Sequence, residues 1–160
     1  MEIAERVVNN IIDIAEQTFE KLDYKYSRVD ENELAVSLSP EYSLSVFLKP
    51  EYDILHFSND LDLICPEDRI AVIEDSIVKA NERIWLGHFD LISIDNRIVF
   101  SLSFPFAHSF LFDEDSFESL VDLILEESDR FYHYFKMVLS DQQVPNFSIG
   151  TLFQEAVGEA

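Results

Sequence analysis

The segment of residues 81–104 constrains the fold most strongly, because it joins a helix end to a regular β-hairpin pattern. Asp95-Asn96 forms the predicted turn, since both residues tolerate the left-handed backbone that tight hairpins need. After this turn, apolar residues alternate with small or polar ones over residues 98–106, which predicts a half-buried strand. The residues before the turn supply the partner strand.

The rest of the chain divides into segments with a helical or a strand period. Apolar residues recur at helical spacing over residues 3–22, from Pro66 to residue 84, and from residue 115 to residue 139. Alternation predicts further strands at residues 33–39, 42–48 and 52–63, the last one bulged or broken near residues 58–60. Residues 23–32 are predicted to be a connection. A short extended segment at Tyr24 and Tyr26 is compatible with this prediction.

The predicted order is α-βββ-α-ββ-α followed by a C-terminal tail. Because short turns join neighbouring strands, the sheet should be antiparallel, and helices packed on it make an α+β fold. The 160 residues fit one domain over residues 1–145, with residues 146–160 as a tail that contains a short amphipathic helix.

The formal charge of −21 decides which classes of partner are expected. So negative a surface repels phosphate backbones and anionic membranes, and it attracts basic or amphipathic protein segments. We therefore expect no nucleic-acid partner and no membrane partner. One cysteine, Cys65, cannot form an internal disulfide, which fits a reducing cytoplasm. No secretory leader and no apolar run of membrane-spanning length is recognised.

The strongest candidate for chemistry is His88-x-Asp90, which places an imidazole and a carboxylate on one face of a strand. This spacing suits a metal ligand pair or an acid–base pair, but it equally suits an exposed polar pair. No second ligand pair shows recognisable metal spacing, and the glycines are isolated rather than grouped in a phosphate loop. We therefore predict no catalytic residue, no metal site and no cofactor.

Several stretches resemble a known family. Residues 84–91 read Ile-Trp-Leu-Gly-His-Phe-Asp-Leu, residues 129–132 read Asp-Arg-Phe-Tyr, and the chain ends in Leu-Phe-Gln-Glu-Ala-Val-Gly-Glu-Ala. These stretches are similar to the YbjN family of bacterial proteins, in particular to its alphaproteobacterial branch. The resemblance is colinear from about residue 81 to residue 160, and the order of elements agrees over the whole chain.

The resemblance implies a function class and an interface. The family is labelled a sensory transduction regulator and has the fold of type III secretion chaperones, which implies a dimeric, protein-binding subunit without a known enzymatic site. In such chaperones the second helix and the following strand build the dimer interface, here residues 66–93 and in particular Ile73, Ile77, Ile84 and Leu86. Partner segments then lie in hydrophobic grooves or add as strands.

Two departures from the family concern the hairpin and the segment after it. Ser101 stands where a basic residue is expected, and residues 104–112 are rich in Phe rather than Gly. These Phe residues are either core or an exposed contact surface. We predict that the partner contacts are Trp85, Phe89, Phe106, Phe110 and Phe112.

The main hypothesis is a non-enzymatic cytoplasmic protein, chaperone-like or regulatory, that forms a homodimer and binds a basic or amphipathic protein or peptide. The alternatives are a metal protein or enzyme that uses His88 and Asp90, and a structural subunit whose aromatic residues serve only self-association.

Overall fold

The computed structural model describes residues 2–106 and 112–140, with side chains from residue 11 onward. The elements are α1 (Glu2–Lys21), β1 (Lys25–Asp30), β2 (Glu33–Ser37), β3 (Ser43–Lys49), β4 (Ile54–Ile64), α2 (Ile70–Asn81), β5 (His88–Ile92), β6 (Arg97–Pro105) and α3 (Glu114–Leu139). The six strands form one sheet in the order β1-β2-β3-β4-β6-β5, and every neighbouring pair is antiparallel. The predicted α+β class is confirmed.

The alternation along the strands gives the sheet one apolar face, and the three helices cover it. Phe57 of β4 meets Phe117 of α3 with ring centroids 5.6 Å apart, and Phe117 also meets Phe19 of α1 at 5.3 Å. Because Phe19, Phe57 and Phe117 are all fully buried, sheet and helices share one hydrophobic core. The opposite face of the sheet carries shorter and more polar residues, such as Ser45 and Ser58.

The first strand corrects the predicted order. Residues 23–32 are not merely a connection, because Lys25–Asp30 pairs with β2 as the edge strand β1. Its side chains are mostly exposed, so it has no buried alternation that would have identified it. The observed order is therefore α-ββββ-α-ββ-α.

Other boundaries differ by a few residues. Strand β4 is continuous, and its irregularity lies between Asp60 and Ile64 rather than at residues 58–60. The hairpin turn spans residues 93–96 instead of two residues, with Asn96 in the left-handed region as expected. Helix α3 is capped by Asp113, which accepts a hydrogen bond from the Ser116 backbone N–H over 2.9 Å. The predicted tail lies outside the described residues.

Candidate protein-binding surfaces

Exposed apolar side chains are concentrated around α2 and the hairpin. Within residues 11–106 and 112–140, nine large apolar side chains are exposed, and seven of them lie in residues 64–94. We call these seven the α2–β5 surface: Ile64, Val72, Val78, Trp85, Leu86, Ile92 and Ile94. They are concentrated along the chain rather than on one face, since Ile92 lies on the same side of β5 as His88 and Asp90, whereas Val72 and Val78 lie on α2.

Residues 66–97, which include six of these seven side chains, also carry a less negative net charge than the average of the rest of the chain. Residues 66–97 contain seven of the 32 carboxylates and four of the 11 Lys and Arg residues, so the other 128 residues carry 25 and seven. Two of these four basic side chains form ion pairs with carboxylates in or near this segment. Lys79 lies next to Asp75, and Arg97 contacts Asp95 and Asp60 over 2.7 and 2.8 Å. A second copy of this acidic chain therefore meets somewhat less repulsion over residues 66–97 than over the average of the other residues.

The loop between α2 and β5 presents the only Trp to solvent. Ile84 packs against the core, whereas the next side chain, Trp85, is fully exposed at 101%. Gly87 then turns the chain into β5 with a φ of 81°. A Cβ at residue 87 would lie 2.6 Å from the Phe100 ring and 2.8 Å from the Ser101 carbonyl oxygen, so only glycine fits.

Asn81, the last residue of α2, fixes the start of β5. Its Oδ1 accepts a hydrogen bond from the Phe89 N–H over 2.7 Å, and its Nδ2 donates to the Phe89 carbonyl oxygen over 3.0 Å. One side-chain amide thus makes the two bonds that a neighbouring strand would make. The residue pattern does not show this role, because an Asn at a helix end indicates only that a helix stops there.

Two of the predicted partner contacts belong to the core instead. Phe89 is 1% exposed and contacts Phe100, Phe131 and Phe135 at ring distances of 5.0, 5.3 and 5.0 Å. Phe106 is 4% exposed. Both rings are buried because they fall on the helix-covered face, and this placement corrects the prediction that they contact a partner.

The other predicted contacts are distributed differently. Phe112 is half-buried and packs between Phe104 and Phe117, with ring centroids 5.4 and 6.3 Å away. Phe110 lies outside the described residues. Trp85 is thus the one predicted partner contact among the described residues whose ring is wholly accessible.

The predicted dimer interface also contains both buried and exposed residues. Ile73 and Ile77 face the core of their own subunit, with exposures of 0% and 7%, so they are not free to form an intermolecular contact. Ile84 is half-buried and Leu86 is 41% exposed. The helical pattern predicts the buried stripe of α2 correctly. It also puts Val72 and Val78 outside that stripe, so their exposure could have been predicted from the same pattern.

The residues suggested for chemistry lie on the uncovered face of the sheet. His88 and Asp90 are both exposed there, on the same side of β5. His56 of β4 lies 2.8 Å from Ser103 Oγ, measured from Nδ1, and burial, Lys49 and His88 lower the pKa of its imidazole. Burial also raises the pKa of the Cys65 thiol. Among the described residues, no group of three or more His, Cys, Asp or Glu side chains could hold a metal ion.

The helices give no sign of a membrane span. In the described parts of the chain, none of them combines the length and the apolar character that crossing a bilayer requires.

Comparison with known proteins shows which family and which solved structures this chain is similar to. The sequence profile of the YbjN family, described as "Putative bacterial sensory transduction regulator", matches residues 12–137. A crystal structure of YbjN from E. coli superposes with a TM-score of 0.59 at 11% identity, over 76% of this chain and 87% of that one. A chain of the ExsC–ExsE complex superposes with a TM-score of 0.54 at 11% identity, over 78% and 92%. No curated protein sequence matches the chain.

Proposed function

The chain belongs to the YbjN family and has a type III secretion chaperone-like fold, and we propose that it is a non-enzymatic protein-binding module with a chaperone-like or regulatory role. The observation that carries this proposal is the α2–β5 surface, with a fully exposed Trp85 beside the exposed Leu86. Exposed aromatic residues next to aliphatic ones supply large contact areas when they are buried by a partner.

The same surface supports self-association. In the proposed homodimer, Leu86 and the exposed rim of Ile84 make the intermolecular contact, together with Val72 and Val78 of α2. The net charge is −3 over residues 66–97 and −18 over the other 128 residues, so two copies repel each other less at this site than over the average of the remaining surface. We place the protein in the cytoplasm, with a domain of residues 1–145 and a tail of residues 146–160.

The client is proposed to be a basic or amphipathic protein segment. Strong negative charge steers such a segment to the protein, and burial of Trp85 then holds it. No observation on His88 and Asp90 favours a metal or an enzymatic function over this one, because the two exposed side chains have no third ligand among the described residues.

The test is affinity capture of the tagged full chain from its native cell lysate, with light scattering of the purified protein in parallel. The variant Trp85→Ser/Leu86→Ser should lose the captured proteins, lose the dimer, or lose both. Tyr52→Ser is the matched control, because Tyr52 is a 70% exposed aromatic residue outside the α2–β5 surface. If the wild-type chain is monomeric and retains no protein that the double variant fails to retain, the proposal is wrong.

A further inference from the structure

Neighbouring strands bring a hydroxyl group and an imidazole together on the uncovered face of the sheet. His56 of β4 and Ser103 of β6 lie opposite each other in the strand register. The Nδ1 atom of His56 is 2.8 Å from Oγ of Ser103, which is hydrogen-bond distance. In the described part of the chain, no other hydroxyl group is hydrogen-bonded to a histidine. A hydroxyl group bonded to a base is the arrangement from which covalent chemistry at serine begins.

The two groups differ in exposure in the way that such a reaction requires. Ser103 is exposed, so a small molecule can reach its Oγ atom. His56 is half-buried, and Phe47 of β3 lies opposite it on the other side. The rings of Phe47 and His56 have centroids 6.1 Å apart and planes inclined by 35°. The imidazole is therefore held between an aromatic ring and the hydroxyl group, on a strand inside the sheet.

The surroundings of His56 favour its neutral form. Burial first, and then the positive charges of Lys49 on β3 and His88 on β5, lower the pKa of this imidazole. In the neutral tautomer with its proton on Nε2, the Nδ1 atom has a free lone pair and accepts the hydrogen atom of the Ser103 hydroxyl. A base is thus available beside Ser103 at neutral pH.

We propose that Ser103 is a site of covalent acylation, that His56 is its general base, and that small uncharged acyl esters and thioesters are the donors. The Oγ atom of Ser103 attacks the carbonyl carbon of the donor and forms a new C–O bond. The bond from this carbon to the leaving oxygen or sulfur breaks, while the hydroxyl proton moves to Nδ1 of His56 and from there to water. Uncharged donors are favoured because the net charge of −21 repels anionic ones.

The geometry of the sheet limits this reaction to a modification of the protein. Side chains stand roughly perpendicular to a sheet, whereas its backbone N–H groups lie in the plane and point toward neighbouring strands. The described sheet therefore places no pair of backbone donors above Ser103, such as the pair that stabilises the oxyanion in serine hydrolases. We expect slow acylation of one residue without rapid turnover. The inference goes beyond the proposed function, does not rest on it, and leaves the protein non-enzymatic.

The experiment incubates the full chain with para-nitrophenyl acetate or, as the thioester donor, with S-acetyl-N-acetylcysteamine. Peptide mapping by mass spectrometry follows the acetylated fraction of each residue over time. We expect both donors to acetylate Ser103 at least about tenfold faster than Ser43. Ser43 is the matched comparison because it is exposed on the same face of the sheet. Its partners in the strand register are Ser37 and Asp60 instead of a histidine.

Substitutions test the nucleophile and the base separately. Ser103→Thr keeps a hydroxyl group and should still be acetylated at residue 103, whereas Ser103→Ala should leave this peptide unmodified. His56→Gln keeps a polar side chain but removes the base, and it should slow acetylation of Ser103 about tenfold. His133→Gln changes an exposed histidine of α3 and should leave the rate unchanged. Circular dichroism confirms that each compared variant is folded.

The pH profile is a readout that a merely structural role of His56 would not change. The rate at Ser103 should rise as His56 loses its proton and should level off, with a midpoint below the ordinary pKa of about 6.5. The rate in His56→Gln should lack this step. The Lys49 and His88 charges both act in the direction of the lowered midpoint.

Several outcomes would overturn the proposal. These are equal rates at Ser103 and Ser43, an unchanged rate in His56→Gln, acetyl groups on lysines only, and no modification by either donor. None of them affects the proposed protein-binding function, because the capture experiment depends on Trp85 and Leu86 instead. Loss of capture in the Trp85→Ser/Leu86→Ser variant likewise leaves the acylation of Ser103 to be decided by its own measurement.

Discussion

Asn59 of β4 donates a hydrogen bond from Nδ2 to Oγ of Ser128 in α3 over 2.8 Å, and both side chains are fully buried. This bond joins the centre of the sheet to the middle of the longest helix. The Asn59 Oδ1 atom accepts no hydrogen bond from the described residues, so the amide depends on Ser128 for its partner. A buried amide without any partner would lose the hydration that it has in the unfolded chain.

The first prediction concerns this pair. Ser128→Ala should lower the free energy of unfolding by about 1–3 kcal/mol, because it leaves the Asn59 Nδ2 group buried without an acceptor. Urea denaturation measures the change. Ser119→Ala on the exposed side of the same helix is the control and should stay within about 0.5 kcal/mol of the wild type. Equal effects of both substitutions would contradict this role of the pair.

Asn81→Ala should destabilise the protein by about 1–3 kcal/mol, because it frees the backbone N–H and C=O of Phe89 at the sheet edge. Amide exchange should become faster at Phe89, while the amides of β3 in the centre of the sheet change only with global stability. Asn32→Ala, which removes an Asn side chain from the turn between β1 and β2, serves as the control. Unchanged exchange at Phe89 would show that another group protects this amide.

Gly87→Ala should destabilise the fold by about 1–3 kcal/mol. The new methyl group would meet backbone as well as a ring, and the backbone φ of 81° disfavours any L side chain. Thermal unfolding followed by circular dichroism measures the loss. A variant as stable as the wild type would mean that the loop and the β6 backbone can move apart without cost.

The fold could be predicted from residue patterns wherever burial imposes a period. The buried alternation of β3 and the buried stripe of α2 identified these elements, since their apolar residues meet the core at a fixed spacing. Strand β1 was predicted only as a connection with room for a short extended piece, because an edge strand with exposed side chains has no such period. Phe89 and Phe106 were wrongly predicted to contact a partner, because the sequence does not show which face of the sheet the helices cover. The role of Asn81 could not be predicted, because it depends on tertiary geometry alone.

The pH dependence of His56 gives a prediction near neutral pH. Burial first, and then Lys49 and His88, lower the pKa of this imidazole, so the folded protein favours its neutral form. At a pH above about 6.5, the ordinary pKa of histidine, this preference does not change the stability of the fold, since the imidazole is neutral in the unfolded chain as well. As pH falls below it, the unfolded chain takes up a proton first, and stability decreases until the folded-state pKa is reached.

NMR titration of the imidazole Cε1 proton measures this shift, with His56→Gln used to assign the resonance. Lys49→Met should raise the pKa of His56 toward its ordinary value, because it removes a neighbouring positive charge. Lys79→Met on α2 removes a Lys that interacts with Asp75 instead and should have no effect. A His56 pKa at or above its ordinary value of about 6.5 would contradict the predicted direction.

The exposure of Trp85 links the structure to the proposed function through one optical signal, since this residue is the only Trp in the chain. At concentrations where light scattering reports a monomer, its emission should match that of N-acetyl-tryptophanamide, and neutral acrylamide should quench both equally. Occupation of the α2–β5 surface should shift the emission to the blue and reduce quenching, because the indole then leaves water. A monomer whose Trp emission is already blue-shifted would show that residues of the same chain cover this ring, and the α2–β5 surface would then lose its main anchor.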